Sequence, residues 1–258
     1  IKIILFIGVI FIFIFILYLT CKRTVENFDD ANADDANADD ANADSDYFNK
    51  EYLDLYSTTF NYLKMYKNDM DIINNKVIKN LLKKSDDIKI LDAGCGLGKH
   101  MKYIYKKYNT IGVDRSKNML KKAKINCPNG TFILGDMVNS NLFDPQSIDI
   151  IYSLTDSIYH NNHDIQIDIF KNFKSWLKPN GYLCIHIFNK NKLDPGPMDF
   201  TQYKVINDIK NSVTHFDDFS HISNFKVDDK FIEYNEIYER DGKDNLTKVT
   251  KLYIDKKD

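Results

Sequence analysis

Arginine and cysteine are scarce in this 258-residue chain, and each scarcity excludes something. Beyond residue 46 the only arginines are Arg115 and Arg240, which is too few for a nucleic-acid face. The formal net charge of −2 hides a segregation. Residues 1–46 hold nine acids and three bases; removing them from the whole-chain 37 and 35 leaves 28 and 32, about +4. That balance reads as a solvated lysine-rich surface and argues against a nucleic-acid partner. The four cysteines, Cys21, Cys95, Cys127 and Cys184, show no metal-ligand spacing, and no metal site is expected. They suit a reduced, cytosolic compartment.

A cleavage signal is also missing. The chain opens with an almost wholly apolar run from Ile3 to Leu19, about long enough to cross a hydrocarbon core as a helix. A signal peptide would have a shorter apolar region ending in small residues, but this run ends Leu17-Tyr18-Leu19-Thr20-Cys21-Lys22-Arg23 with no A-x-A pattern. Residues 1–21 therefore read as a transmembrane anchor, in the membrane through residues 3–20. Lys22 and Arg23 favour a single-pass protein whose domain faces the cytoplasm. Residues 22–46 include three copies of Asp-Asp-Ala-Asn-Ala. A five-residue period makes neither a helical nor a strand stripe, so this segment reads as an acidic, disordered tether.

What the chain does have starts at Tyr47. Through Lys84 the apolar positions Tyr52, Leu55, Tyr56, Phe60, Leu63, Tyr66, Ile72, Ile73, Val77 and Leu81 recur every three or four residues, predicting amphipathic helices. Next comes the stretch that organises the rest, Ile88-Lys89-Ile90-Leu91-Asp92-Ala93-Gly94-Cys95-Gly96-Leu97-Gly98-Lys99-His100. Ile88 to Leu91 reads as a short buried strand stopped by glycines. Beyond Gly98, Met101, Ile104, Tyr105 and Tyr108 predict a helix. Strand, glycine turn and helix form the first unit of a doubly wound α/β sheet, which binds ligands at the carboxyl ends of its strands. A dinucleotide fold uses G-x-G-x-x-G; here the spacing is G-x-G-x-G and Asp92 precedes it. A carboxylate there repels pyrophosphate and suits a ligand carrying an ammonium group.

Further strands follow in order. Thr110 to Val113 ends at Asp114, 22 residues past Asp92, about where an acid reaches ribose hydroxyls in a βαβ unit. Thr131 to Leu134 ends at Gly135-Asp136-Met137, and Ile148 to Leu154 leads into Thr155-Asp156-Ser157-Ile158-Tyr159-His160. A helix carrying Ile165, Ile169, Phe173 and Trp176 ends at Leu177-Lys178-Pro179-Asn180-Gly181, before a strand from Tyr182 to Phe188 with His186 as a core residue.

Over residues 86–190 this series resembles the class I, Rossmann-like, S-adenosylmethionine-dependent methyltransferases. The resemblance implies S-adenosylmethionine as cofactor, held by Asp92, Ala93, Gly94, Cys95, Gly96, Gly98, Asp114, Arg115, Asp136, Met137 and Ser153. Asp114 takes the ribose position, Asp136 the adenine amino group and Met137 the ring face. Asp156, Tyr159 and His160 are the candidates for positioning or deprotonating the acceptor, His being the natural base near neutral pH. No Asn-Pro-Pro-Tyr or Asp-Pro-Pro-Tyr follows the fourth strand, unlike the exocyclic base-amine methylases of this family. No Pro-Cys stands there either, which argues against a covalent cytosine-C5 mechanism. In the resembled family, helices ahead of the first strand cover the cofactor and build part of the acceptor pocket. Most tyrosines of residues 47–84 read as core and one or two as site-lining, with no signal as to which.

Residues 200–255 change character, with β-rich segments Phe200 to Ile206, Phe231 to Glu239 and Leu246 to Ile254 and an Asp241-Gly242 hairpin turn. The family's final antiparallel strand pair has no counterpart after them, so either this hairpin completes the sheet or the sequence is truncated. Ile1 in place of Met also hints at an incomplete sequence. The expected fold is α/β: a doubly wound, mostly parallel sheet with a C-terminal antiparallel β-meander, behind one transmembrane helix. Residues 47–258 form the domain, with cap helices at 47–84, a cofactor-binding core at 86–190 and an extension at 200–255. The expected function is in-line methyl transfer from S-adenosylmethionine to a small-molecule acceptor that no motif names. The alternatives are a catalytically silent interaction module of the same fold and an NAD-dependent oxidoreductase, the latter disfavoured by the glycine spacing.

Overall fold

The computed structural model describes residues 12–15, 49–60, 65–82, 87–188, 202–206, 209–227 and 230–254. The tether and most of the expected anchor lie outside these residues. Among the described residues no helix is long and apolar enough to cross a membrane. Four residues of the apolar run, Ile12–Phe15, form a strand, β1. These residues, read above as part of a membrane helix, are instead strand-forming isoleucine and phenylalanine at an open sheet edge.

The helices ahead of the core are α1 (Lys50–Thr59), α2 (Met65–Ile73), a π-helical turn at Asn74–Ile78 and α3 (Lys79–Leu82). Asn49 starts α1 by accepting from Tyr52 N–H through its side chain. The core alternates β2 (Lys89–Ala93), β3 (Asn109–Asp114), α4 (Lys117–Asn126), β4 (Thr131–Leu134), β5 (Ile148–Ser153), α5 (His163–Trp176) and β6 (Leu177–Phe188).

The six strands lie in the order β1-β6-β5-β2-β3-β4. All neighbours are parallel except β1, which is antiparallel to β6. Successive side chains of a strand face opposite sides, so each strand supplies two cores. Leu91, Ala93, Ile151, Leu183 and Ile185 pack with Phe173 and Trp176 of α5. Ile90, Ile150, Tyr152 and Cys184 pack with Met70, Ile73, Val77 and Ile78 of the cap.

One local expectation differs. The segment after Gly98 is not a regular α-helix: only Met101–Tyr103 is helical, as a 3₁₀ turn. Its amide bonds alternate between three- and four-residue spans, Ile104 N–H to Met101 O and Tyr105 N–H to Met101 O. The predicted face survives, since Met101 and Ile104 are buried. Before Tyr182, Asn180 is left-handed (φ +71°). Gly181 is required by space, because a Cβ there would stand 3.0 Å from Asp149 O and from Lys178 O.

The extension folds as a separate antiparallel meander of five strands: β7 (Gln202–Ile206), β8 (Ile209–His215), β9 (Phe219–Val227), β10 (Phe231–Arg240) and β11 (Leu246–Tyr253). Its last hairpin therefore does not complete the central sheet. The strands β8 and β9 escaped the sequence reading because their polar residues mask the alternation; His221 and Ser223 are themselves buried. Helix α1 bridges the two sheets, as Tyr52 and Leu53 pack with Leu97 and Met119 on one side and Phe219 and Tyr238 on the other. A buried carboxylate, Glu236, secures this bridge by accepting from Tyr52 Oη at 3.1 Å, Tyr238 Oη at 3.0 Å and His221 Nε2 at 3.1 Å.

Candidate active site

A cleft of about 930 Å³, its open mouth included, lies at the carboxyl ends of β2, β3, β4 and β5. Its floor is the glycine turn. Gly94 has φ +77°, and a Cβ there would meet Ser157 Cβ at 2.6 Å and Oγ at 2.7 Å. Only glycine fits that contact, which Ser157 Oγ closes by donating to Gly94 O at 3.1 Å. Gly98 (φ +67°) serves packing, with Ala123 of α4 only 3.3 Å from where its Cβ would be.

Asp114 ends β3 and shapes the turn from the side. Its Oδ2 accepts from Gly96 N–H at 2.7 Å and its Oδ1 from Ser116 N–H at 2.9 Å. Ser116 in turn caps α4 through Met119 N–H. Asp136 follows β4 and accepts from Val138 N–H at 3.0 Å. Of the eleven residues expected at the cofactor, Gly94, Cys95, Gly96, Asp114, Arg115, Asp136 and Met137 line the cleft, whereas Asp92, Ala93, Gly98 and Ser153 do not. Asp92 and Ser153 are buried behind the wall, and Asp92 Oδ2 and Ser153 Oγ have no hydrogen-bond partner. Burial pushes the Asp92 carboxyl up to about 8, with Tyr152 opposing the rise and Asp114 adding to it.

The acceptor candidates separate likewise. His160 lines the cleft; burial, then Arg115 and Lys248, lowers its pKa to about 4, so it is neutral at pH 7. Asp156 lies beside the wall in a left-handed turn, Thr155 at φ +50° and Asp156 at φ +63°. Its Oδ1 is buried without a partner, and burial raises its carboxyl to about 6. Tyr159 does not line the cleft and packs against Ile232, Leu252 and Ile254 of the meander.

Several lining residues were not read from the sequence, among them Lys99, His100, Met119, Thr155 and Ser157. Lys99 and His100 directly follow the glycine turn, and that adjacency was the available signal. Tyr56 and Tyr66 turn out to be the site-lining tyrosines of the cap.

Comparison with known proteins agrees with this geometry. A family profile described as a methyltransferase domain matches residues 90–181. A phosphoethanolamine N-methyltransferase of Plasmodium falciparum (isolate 3D7) is 27% identical over 195 residues, 70% of this chain and 72% of that one. Phosphoethanolamine N-methyltransferase 1 of Zea mays is 35% identical over 121 residues, 45% of this chain. The chain thus spans most of the first relative and only 23% of the second. Among solved structures, an S-adenosylmethionine-dependent methyltransferase from Clostridium acetobutylicum ATCC 824 superposes with TM-score 0.61 at 20% identity, covering 80% of this chain and 82% of that one. Residues 90–181 thus match a methyltransferase domain, within a chain that has the fold of the class I S-adenosylmethionine-dependent methyltransferases.

Proposed function

We propose that this enzyme methylates the nitrogen of a small amine, with phosphoethanolamine as the first acceptor to test. The observation that carries the reading is Asp156, a carboxylate with an unpartnered buried oxygen. Its charge adds to the burial that raises the phenols of three tyrosines from three elements, Tyr56, Tyr66 and Tyr234. A carboxylate among aromatic rings is a site for an ammonium group. The named activity of the relatives matching over 195 and 121 residues supports the same class of acceptor.

The residues present fit the cofactor. The glycine turn leaves room where a side chain would clash, and the presence of Asp114, Asp136 and Met137 on the cleft wall supports the ribose and adenine roles that the resemblance implies. Asp92 offers an unpartnered carboxylate oxygen toward the ammonium end, acting from behind the wall. The cation on the wall for the carboxylate end is Lys99. When bound, S-adenosylmethionine supplies an electrophilic methyl group on a sulfonium.

The protein's own residues then orient and deprotonate. Asp156, ionised above about pH 6, seats the acceptor ammonium. His160, neutral above about pH 4, takes the proton that must leave before nitrogen can attack. The nitrogen lone pair forms the new N–C bond as the C–S bond breaks, and the bonding pair stays on sulfur. Most of the rate then comes from alignment and exclusion of water. Supplying methyl-labelled cofactor with phosphoethanolamine, ethanolamine or an amino sugar tests this. The label is expected on nitrogen; transfer only to oxygen or carbon acceptors would refute it.

A further inference from the structure

Beside the acceptor turn lies a buried cluster that the chemistry above does not use. Asp69 of α2 accepts from His100 Nε2 at 3.1 Å through Oδ2, and its Oδ1 lies 3.4 Å from His186 Nε2 as an ion-pair contact. All three side chains are largely buried, at 14%, 8% and 4% relative exposure for Asp69, His100 and His186. An ionised carboxylate only accepts, so both Nε2 atoms carry hydrogens. The other nitrogen of His186 is then a lone pair, and Nδ1 accepts from Thr155 N–H at 3.1 Å.

That amide belongs to the strained turn. Thr155 and Asp156 are consecutive non-glycine residues with φ of +50° and +63°. Such a conformation is unusual for any side chain and an outlier for a β-branched one, and it persists only where its surroundings impose it. The imidazole of His186 is a group imposing it. We propose that Asp69 and His186 are positioning residues for methyl transfer: Asp69 fixes the tautomer of His186, and His186 holds the Thr155–Asp156 turn that presents the Asp156 carboxylate. The use made of that carboxylate rests on the amine reading above.

The same aspartate reaches the cofactor side. His100 lines the cleft, and the ring of Tyr66 meets it edge-on with centroids 4.9 Å apart. One carboxylate, delivered by the cap, therefore braces the glycine turn through His100 and the acceptor turn through His186. Docking of α2 and correct placement of Asp156 become one event.

Two substitutions at one position separate positioning from bulk. His186→Asn keeps an acceptor near Nδ1 for Thr155 N–H and loses the link to Asp69. His186→Gln keeps a donor toward Asp69 and loses the acceptor. With phosphoethanolamine as probe, His186→Gln is expected to lower kcat by about a hundredfold, as for a misplaced reacting group. S-adenosylmethionine affinity should stay within about threefold, and His186→Asn should retain most of kcat. Equal losses of kcat in both variants, tracking equal losses in Tm, would overturn the proposal. Imidazole ¹⁵N spectra of the full chain provide a readout independent of the acceptor. His186 should be protonated at Nε2 in the wild type and lose that preference in Asp69→Ala; protonation at Nδ1 in the wild type overturns the inference. Should the wild type transfer no methyl to phosphoethanolamine, the amine reading fails, and the spectra alone decide the role of Asp69 and His186.

Discussion

Raising the pH from 6.5 to 8 should destabilise the cofactor-free protein relative to its Asp92→Asn variant by roughly 1.5 kcal/mol. Asp92 is 2% exposed, and burial pushes its carboxyl up to about 8, against about 3.9 in an unfolded chain. A folded pKa above the unfolded one means that the native state keeps a proton the unfolded chain has released. Stability therefore falls as pH rises from about 4 to about 8 and then levels off. Between 6.5 and 8 the native carboxyl goes from nearly full to about half protonation, and integrating the linkage relation over that span gives the figure. Comparing wild type with Asp92→Asn cancels the groups common to both, including Lys248, lowered to about 8 by burial. Urea titrations of both proteins at each pH supply the measurement. Near-saturating S-adenosylmethionine should flatten the wild-type slope, since a ligand ammonium favours the ionised carboxylate. Parallel pH profiles for the two proteins without ligand would refute the reasoning, because they would mean that Asp92 is already ionised in the folded state.

Gly94→Ala should abolish cofactor binding and cost about 1–2 kcal/mol of stability from the left-handed backbone alone, read by calorimetry and thermal melts. Asp114→Ala should weaken S-adenosylmethionine binding by more than about 1 kcal/mol; it also strips the Gly96 and Ser116 amides of their acceptor, so a lower melting temperature should accompany it. Glu236→Leu removes an acceptor shared by three donors and should destabilise the protein by roughly 3 kcal/mol, with an unchanged urea midpoint contradicting the proposed bridge. Under saturating cofactor, kcat/KM for the amine should fall below an apparent pKa of about 6 as Asp156 protonates; an acid limb absent down to pH 5 would remove Asp156 from acceptor binding.

The position of the cleft was legible because its signal is local. Asp92, the glycines, Asp114 and Asp136 each stand at a strand end, where the period of the chain changes within a few residues. The acceptor half was not, since it is assembled across the chain. Thr155 meets His186 across 31 residues, and Asp69 reaches His186 from the cap. No spacing rule joins such pairs. His186 read as an ordinary core residue because its neighbours in sequence are apolar; only the fold reveals that it holds Thr155. Ser153 was misplaced for a related reason. It ends β5 as expected, but the strand's alternation turns its hydroxyl into the wall, and Leu154 and Thr155 face the cleft instead.

Calorimetric titration of the full chain with S-adenosylmethionine and with S-adenosylhomocysteine tests the central claim most directly. Saturable binding of both at one site is expected, with the product analogue binding at least as tightly and Asp114→Ala weakening both. A folded chain that gives no binding heat with either ligand would contradict the assignment of this cleft.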